Sequence, residues 1–185
     1  MTFVGARNAI IRELAKFIKC PVRLHSQTQP ENEDYTKSGF PYIIYTATTA
    51  YIPSRGLGNY HFSKIENDEY DLIEKRTEQS EAVFSFTAYS TDREIKQGKK
   101  DIQIYGEDEA NETAAEAQNW FIQSGYDFLN KLGFVVADIS NVADRSALVV
   151  DEFERRYGFD VRLRYCRCDT RKIYEVRKVP IKRKK

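Results

Sequence analysis

Histidine is nearly absent: His25 and His61 are the only two in 185 residues. Neither belongs to an HExxH helix, and no GxSxG elbow, Walker A loop or GxGxxG turn occurs. The usual residue sets for zinc hydrolysis, acyl transfer and nucleotide-phosphate binding are therefore missing, and no catalytic, cofactor or metal residue is assigned. Cysteine is also scarce. Three is an odd count that does not suit a disulfide framework in a chain of this length, and it points to a reducing compartment. Cys166-Arg167-Cys168 would put two thiols on one side of a strand. Nothing at ligand spacing completes a metal set, so they read as ordinary free thiols. No run approaches the ~20 apolar residues of a membrane span. The start, MTFVGARNAIIRELAKF, carries Arg7, Arg12 and Glu13, unlike the apolar core of a signal sequence.

What is present is a globular composition: 41% hydrophobic, 31% charged and 13% aromatic, with 12 Tyr and 11 Phe. The length suits a single domain, read here as residues 1–168, followed by a basic C-terminal tail over 169–185 that is expected to be flexible. The net charge of +1 hides an asymmetry. Residues 154–185 hold thirteen Lys/Arg against four Asp/Glu, net +9, and the preceding 153 residues net −8. Such a chain can self-associate through opposite patches or present its basic end to a polyanion.

Apolar spacing predicts a helix over 2–19, with Phe3, Ile10, Leu14, Phe17 and Ile18 on one side and Thr2 as N-cap. Cys20-Pro21 ends it, and Val22–Leu24 follows as a short strand. Residues 25–39 are polar and read as a loop. The β-branched and aromatic run 41–52 predicts a strand broken at Pro53. Residues 59–80 read as a mobile loop with a strand near Leu72–Thr77, and 81–90 as a separate strand with Phe84, Phe86 and Ala88 facing the core. Residues 91–106 suit either a surface loop or a small hairpin at Gly98. A second helix is expected over 107–131, capped by Gly133, then a strand at Phe134–Ile139. Strands at 147–153 and 159–166 flank Arg155-Arg156-Tyr157-Gly158, which reads as a hairpin turn. The fold class is α+β: a mostly antiparallel sheet with two main helices packed on one face.

Acidic clusters at Glu31/Glu33/Asp34, Asp68/Glu69/Asp71 and Glu107/Asp108/Glu109 lie in loops or at a helix start and read as solvated. Asp151/Glu152 is the one acidic pair in a regular element; a nuclease would depend on Asp151, but no Lys completes that motif. Arg162 and Arg164, extended by Arg167, Arg171 and Lys172, form a basic row that is costly unless it meets water, acid or phosphate. Lys182, Arg183, Lys184 and Lys185 suit non-specific backbone contact with DNA.

The segment Asn141–Arg145 through Val150–Arg162 resembles the neck or tail terminator proteins of tailed bacteriophages. So do Phe40–Tyr45 followed by Pro53, Phe84–Ser90, and the helix around Trp120-Phe121, in that order along most of residues 1–165. Residues 91–106 and the basic end depart from the pattern. The resemblance implies a non-enzymatic virion part, assembled in the host cytoplasm. It implies a homo-oligomeric ring, usually six-fold, at the head-proximal end of the tail tube. Such a ring stops tube polymerisation and docks the head-side connector, with genomic DNA passing through its lumen. No membrane is involved. Within that frame Arg155, Arg156, Arg162, Arg164, Asp151 and Glu152 are candidates for subunit contacts or the lumen. Tyr51, Arg55, Tyr60 and Tyr70 are candidates for a loop that meets tube or connector, and Lys182–Lys185 for proximity to DNA. The competing reading is a small nucleic-acid-binding module that uses the basic hairpin and tail.

Overall fold

The computed structural model describes residues 3–25, 39–54, 56, 58–64, 72–97, 100–149 and 152–173; the side chains of 97, 100, 147–149 and 152–154 are excepted. Thr2, most of the 25–39 loop (26–38), Arg55, Tyr70, Asp151 and Lys182–Lys185 lie outside the described residues.

Helix α1 spans Phe3–Ile18 and buries Ala6, Ile10, Ile11, Leu14 and Ile18, a stripe at helical spacing. Lys19 then takes φ 53°, and the chain leaves the helix ahead of Pro21. Strand β1, Val22–Leu24, pairs in parallel with β2, Tyr42–Ile52. The next elements are β3 (Asn59–Lys64), β4 (Leu72–Ser90), β5 (Arg93–Gln97), β6 (Lys100–Ile104) and α2 (Gly106–Asn119). A π-helical turn at Trp120–Ser124 leads to α3 (Tyr126–Lys131). Strands β7 (Phe134–Ile139), β8 (Ala143–Asp144), β9 (Ala147–Val149) and β10 (Glu152–Ile173) complete the chain. The main sheet runs β1-β2-β4-β10-β7, with β3 on β4 and β8 and β9 on β10; β5 and β6 form their own hairpin. β1–β2 is parallel, and the pairs β2–β4, β3–β4, β8–β10, β9–β10 and β5–β6 are antiparallel. The fold is α+β.

The described chain forms two compact units, and β4 and β10 contribute residues to both. The larger comprises residues 1–52 and 81–164. Its core centres on Phe86, whose ring lies 5.2 Å from Phe121, 5.4 Å from Phe159 and 6.0 Å from Tyr45. Phe84, Phe86, Phe121, Val161 and Leu163 are all buried, as the alternation of β4 and β10 requires. The smaller unit comprises residues 53–80 and 165–185. Its described part is strand segments of β3, β4 and β10, and its buried residues are all polar: Glu74, Glu78 and Ser80.

Four elements differ from the sequence expectation. Residues 59–64 form β3 rather than a loop, with Asn59 opposite Thr77 and Lys64 opposite Leu72. All six residues are exposed, so backbone pairing alone makes this strand and no apolar alternation announces it. The two strands expected at 72–77 and 81–90 are one strand of 19 residues. The helix expected over 107–131 is broken. The Gly125 amide reaches the Trp120 carbonyl at 2.7 Å, an i→i+5 bond, and a Cβ at Gly125 would lie 2.5 Å from the Trp120 ring. Finally, Arg155–Gly158 is not a turn. It lies inside β10, opposite β8, with Tyr157 facing Asp144 and Gly158 facing Ala143. Gly158 is there for close approach: a Cβ would meet the Phe86 carbonyl oxygen at 2.5 Å. The hairpin is formed by β9 and β10, with Val149 opposite Glu152. β10 also runs on to Ile173, so the boundary expected at 168/169 falls inside a strand. The open alternative at 91–106 resolves as the β5–β6 hairpin.

Candidate assembly surface

Alternation along β10 buries Phe159, Val161 and Leu163 and exposes Arg162 and Arg164 on the other face. The exposed arginines are not open cations. Arg164 donates from Nε and Nη2 to Glu81 Oε1 at 2.9 and 2.7 Å. Arg162 lies 3.9 Å from Glu81 and 3.8 Å from Asp138. Glu81, on β4, thus sits between two arginines of the neighbouring strand. Such exposed pairs contribute only ~0.2–1 kcal/mol each, but they cancel most of the row's positive field locally.

Arg155 and Arg156 project from β10. An Arg155 nitrogen lies 3.7 Å from Glu107 at the start of α2, and the Tyr157 hydroxyl donates to the same carboxylate at 3.2 Å. The Arg156 guanidinium sits 5.1 Å from the centre of the Tyr89 ring. Tyr51 is exposed at the end of β2. The backbone of Glu152 pairs with Val149; Asp151, Arg55, Tyr70 and Lys182–Lys185 fall outside the described residues.

Two arginine clusters were not legible in advance. Arg145 donates to Ser85 Oγ at 2.7 Å, Thr87 Oγ1 at 3.1 Å and Asp160 at 3.1 Å, joining β4 to β10. Arg93 grips Glu109 and also donates to the Phe40 carbonyl at 3.1 Å. Asp92 accepts the Gly106 amide at 2.7 Å, which satisfies an orphan donor of the first turn of α2. Nothing in local spacing distinguishes these arginines from the exposed ones.

In the smaller unit, Tyr60, Glu74, Arg76, Asp169, Thr170 and Arg171 line an open cleft of about 240 Å³. Arg171 Nε donates to Glu74 at 2.8 Å, and Arg76 to Glu78 at 2.6 Å. Tyr60 and Phe62 remain 47% and 55% exposed. All six residues of β3 are exposed, so both rings stand at the surface.

Among the described residues, the chemistry-bearing side chains form no metal-holding cluster. His61 is exposed on β3 opposite Lys75, and Cys166 and Cys168 are exposed free thiols. Burial pushes the Cys20 thiol up to about 12, helped by Glu116 and Glu109, so it stays protonated and unreactive. Among the described residues no three His, Cys, Asp or Glu side chains group to hold a metal ion, and no helix is long and apolar enough to cross a membrane.

A family model described as phage neck terminator protein matches residues 8–184. The chain belongs to the phage neck terminator family. No curated protein matches it. The neck terminator is a structural virion protein of the neck, where it meets other head and tail proteins.

Proposed function

We propose that this neck terminator forms a closed ring, six-fold, at the head-proximal end of the tail tube. There it stops tube polymerisation and joins the tail to the head-side connector, with DNA passing through the lumen. The observation that carries this reading is the family match across residues 8–184. Two features support it. A cyclic ring needs two different, complementary patches on each subunit, and the chain separates +9 at its C-terminal end from −8 elsewhere. The described part of the smaller unit, 53–80 and 165–173, exposes Tyr60 and Phe62, and the residues it buries, Glu74, Glu78 and Ser80, are polar.

In this reading Arg155, Arg156, Arg162, Arg164, Asp151 and Glu152 lie at or near subunit contacts or the lumen. Tyr51, Arg55, Tyr60 and Tyr70 face the tube or the connector. The test is the solution mass by light scattering at low and moderate salt. A closed oligomer near six subunits supports the ring. A monomer at both salts that binds duplex DNA with steep salt dependence favours a nucleic-acid-binding module instead.

A further inference from the structure

The edge of a sheet carries unpaired backbone groups, and proteins blunt it with short strands or charged residues. This chain does so at most of its outer strands. β1, β8 and β9 are three, two and three residues long. β5 and β6 carry five charged residues between them. Among the described residues, two six-residue strands are left unblunted. β3, NYHFSK, pairs with β4 alone, and β7, FVVADI, ends the main sheet beyond β10. Neither contains proline or glycine. Each holds a single formal charge near its C-terminal end, Lys64 on β3 and Asp138 on β7.

The side chains match as well. Tyr60 and Phe62 share one face of β3, and Val135 and Ala137 share one face of β7, because each pair is two residues apart. All four are exposed. With β3 laid edge to edge on β7, the two apolar pairs can line one face of the joined sheet, where an aromatic ring beside a β-branched residue is a favourable cross-strand neighbour. The charges select the same combination. A β3–β7 pair is neutral, whereas two copies of β3 bring two Lys64 ammonium groups and two copies of β7 bring two Asp138 carboxylates. Arg162 lies 3.8 Å from Asp138, beyond hydrogen-bond distance, and leaves that carboxylate open to a second cation.

We propose that the outer edge of β3 in one copy pairs with the outer edge of β7 in the next copy, adding a strand to each sheet. The contact joins two different strands, so it is heterologous and can close into a ring. It is made through the backbone, so the Tyr60 ring stays on the sheet face and can still meet the tube or the connector. The proposal rests on the ring reading and supplies the two complementary surfaces that reading needs.

Cross-linking of the full-length protein tests it. Every variant carries Cys166→Ser and Cys168→Ser, which remove the exposed native thiols; Cys20 is buried and stays. Phe62→Cys and Val135→Cys then place one thiol on each edge, both at exposed positions. Far-ultraviolet circular dichroism checks that each variant is folded. A short bis-maleimide is added to each single variant, to their equimolar mixture, and to the variant that carries both cysteines. The expected result is at least tenfold more cross-linked dimer in the mixture than in either single variant alone. The variant with both cysteines should give a ladder of products that ends at six. Dimer formed as readily by Phe62→Cys alone, or by Val135→Cys alone, means a like-with-like edge and overturns the contact. No cross-link in the mixture also overturns it, and a hexamer by light scattering in that case leaves the ring standing without this contact. A ladder that stops short of six or runs past it upholds the contact and contradicts the six-fold ring.

Discussion

Arg93 holds Glu109 with both ends of its guanidinium, Nη1 to Oε2 at 2.7 Å and Nη2 to Oε1 at 2.8 Å. This bidentate pair joins the first residue of the β5–β6 hairpin to the first turn of α2. Burial alone would raise the Glu109 carboxyl. Hydrogen bonds from Arg93 and Ser90, and the charge of Arg93, outweigh it and hold the group below the usual carboxylate range. A depressed carboxylate contributes stability above its unfolded pKa, about 4.3, and loses it as pH falls through the folded value. Glu109→Gln should cost about 2 kcal/mol at pH 7. The gap to the wild type should shrink as pH falls below about 4.3, measured by urea unfolding at each pH. A constant gap contradicts the linkage.

The Phe86 cluster should dominate the stability of the larger unit. Phe86→Ala removes the ring that Phe121, Phe159 and Tyr45 pack around and should cost ~3–5 kcal/mol. Tyr60→Ser with Phe62→Ser touches only exposed side chains and should shift stability by less than about 1 kcal/mol. Denaturant midpoints of the two variants, compared with the wild type, check both values.

Gly158 is expected to be intolerant even of a methyl group. Its Cβ would lie 2.5 Å from the Phe86 carbonyl oxygen and 2.9 Å from an Arg145 nitrogen, and strand backbone moves little. Gly158→Ala should destabilise by ~1–3 kcal/mol. At Gly133, where φ is 78° and the space is open, alanine meets only backbone strain and should cost about 1 kcal/mol. Thermal melts of the two variants should rank them in that order.

Charge reversal at the arginine row acts first on the subunit itself. Arg164→Glu places a carboxylate against Glu81, whereas Arg164→Gln removes the pair without creating repulsion. The glutamate variant should be the less stable of the two by roughly 0.5–1 kcal/mol, read as a difference in melting temperature that narrows in 1 M salt. Assembly assays at this position therefore call for the glutamine variant.

Periodicity made the core legible and left the ribbon obscure. Ile10 and Leu14 on α1, Phe84 and Phe86 on β4, and Val161 and Leu163 on β10 repeat at the spacings that burial demands, and all are buried. β3 carries no such signal, because its six residues are exposed and paired through backbone alone. Gly158 misled for a related reason: a glycine in a strand and a glycine in a turn look alike until the neighbouring strand is known. The arginines show the limit for the surface. Sequence marks Arg162 and Arg164 as a row, but their partner Glu81 lies far away in the chain, on the neighbouring strand β4, so their neutralisation is a tertiary fact.

The most direct test of the ring is to add the purified protein to growing tail tubes and image the tube ends by electron microscopy. The account predicts a six-fold ring on one end of each tube and tubes that stop lengthening once it is bound. Bare tube ends with unchanged growth would contradict it.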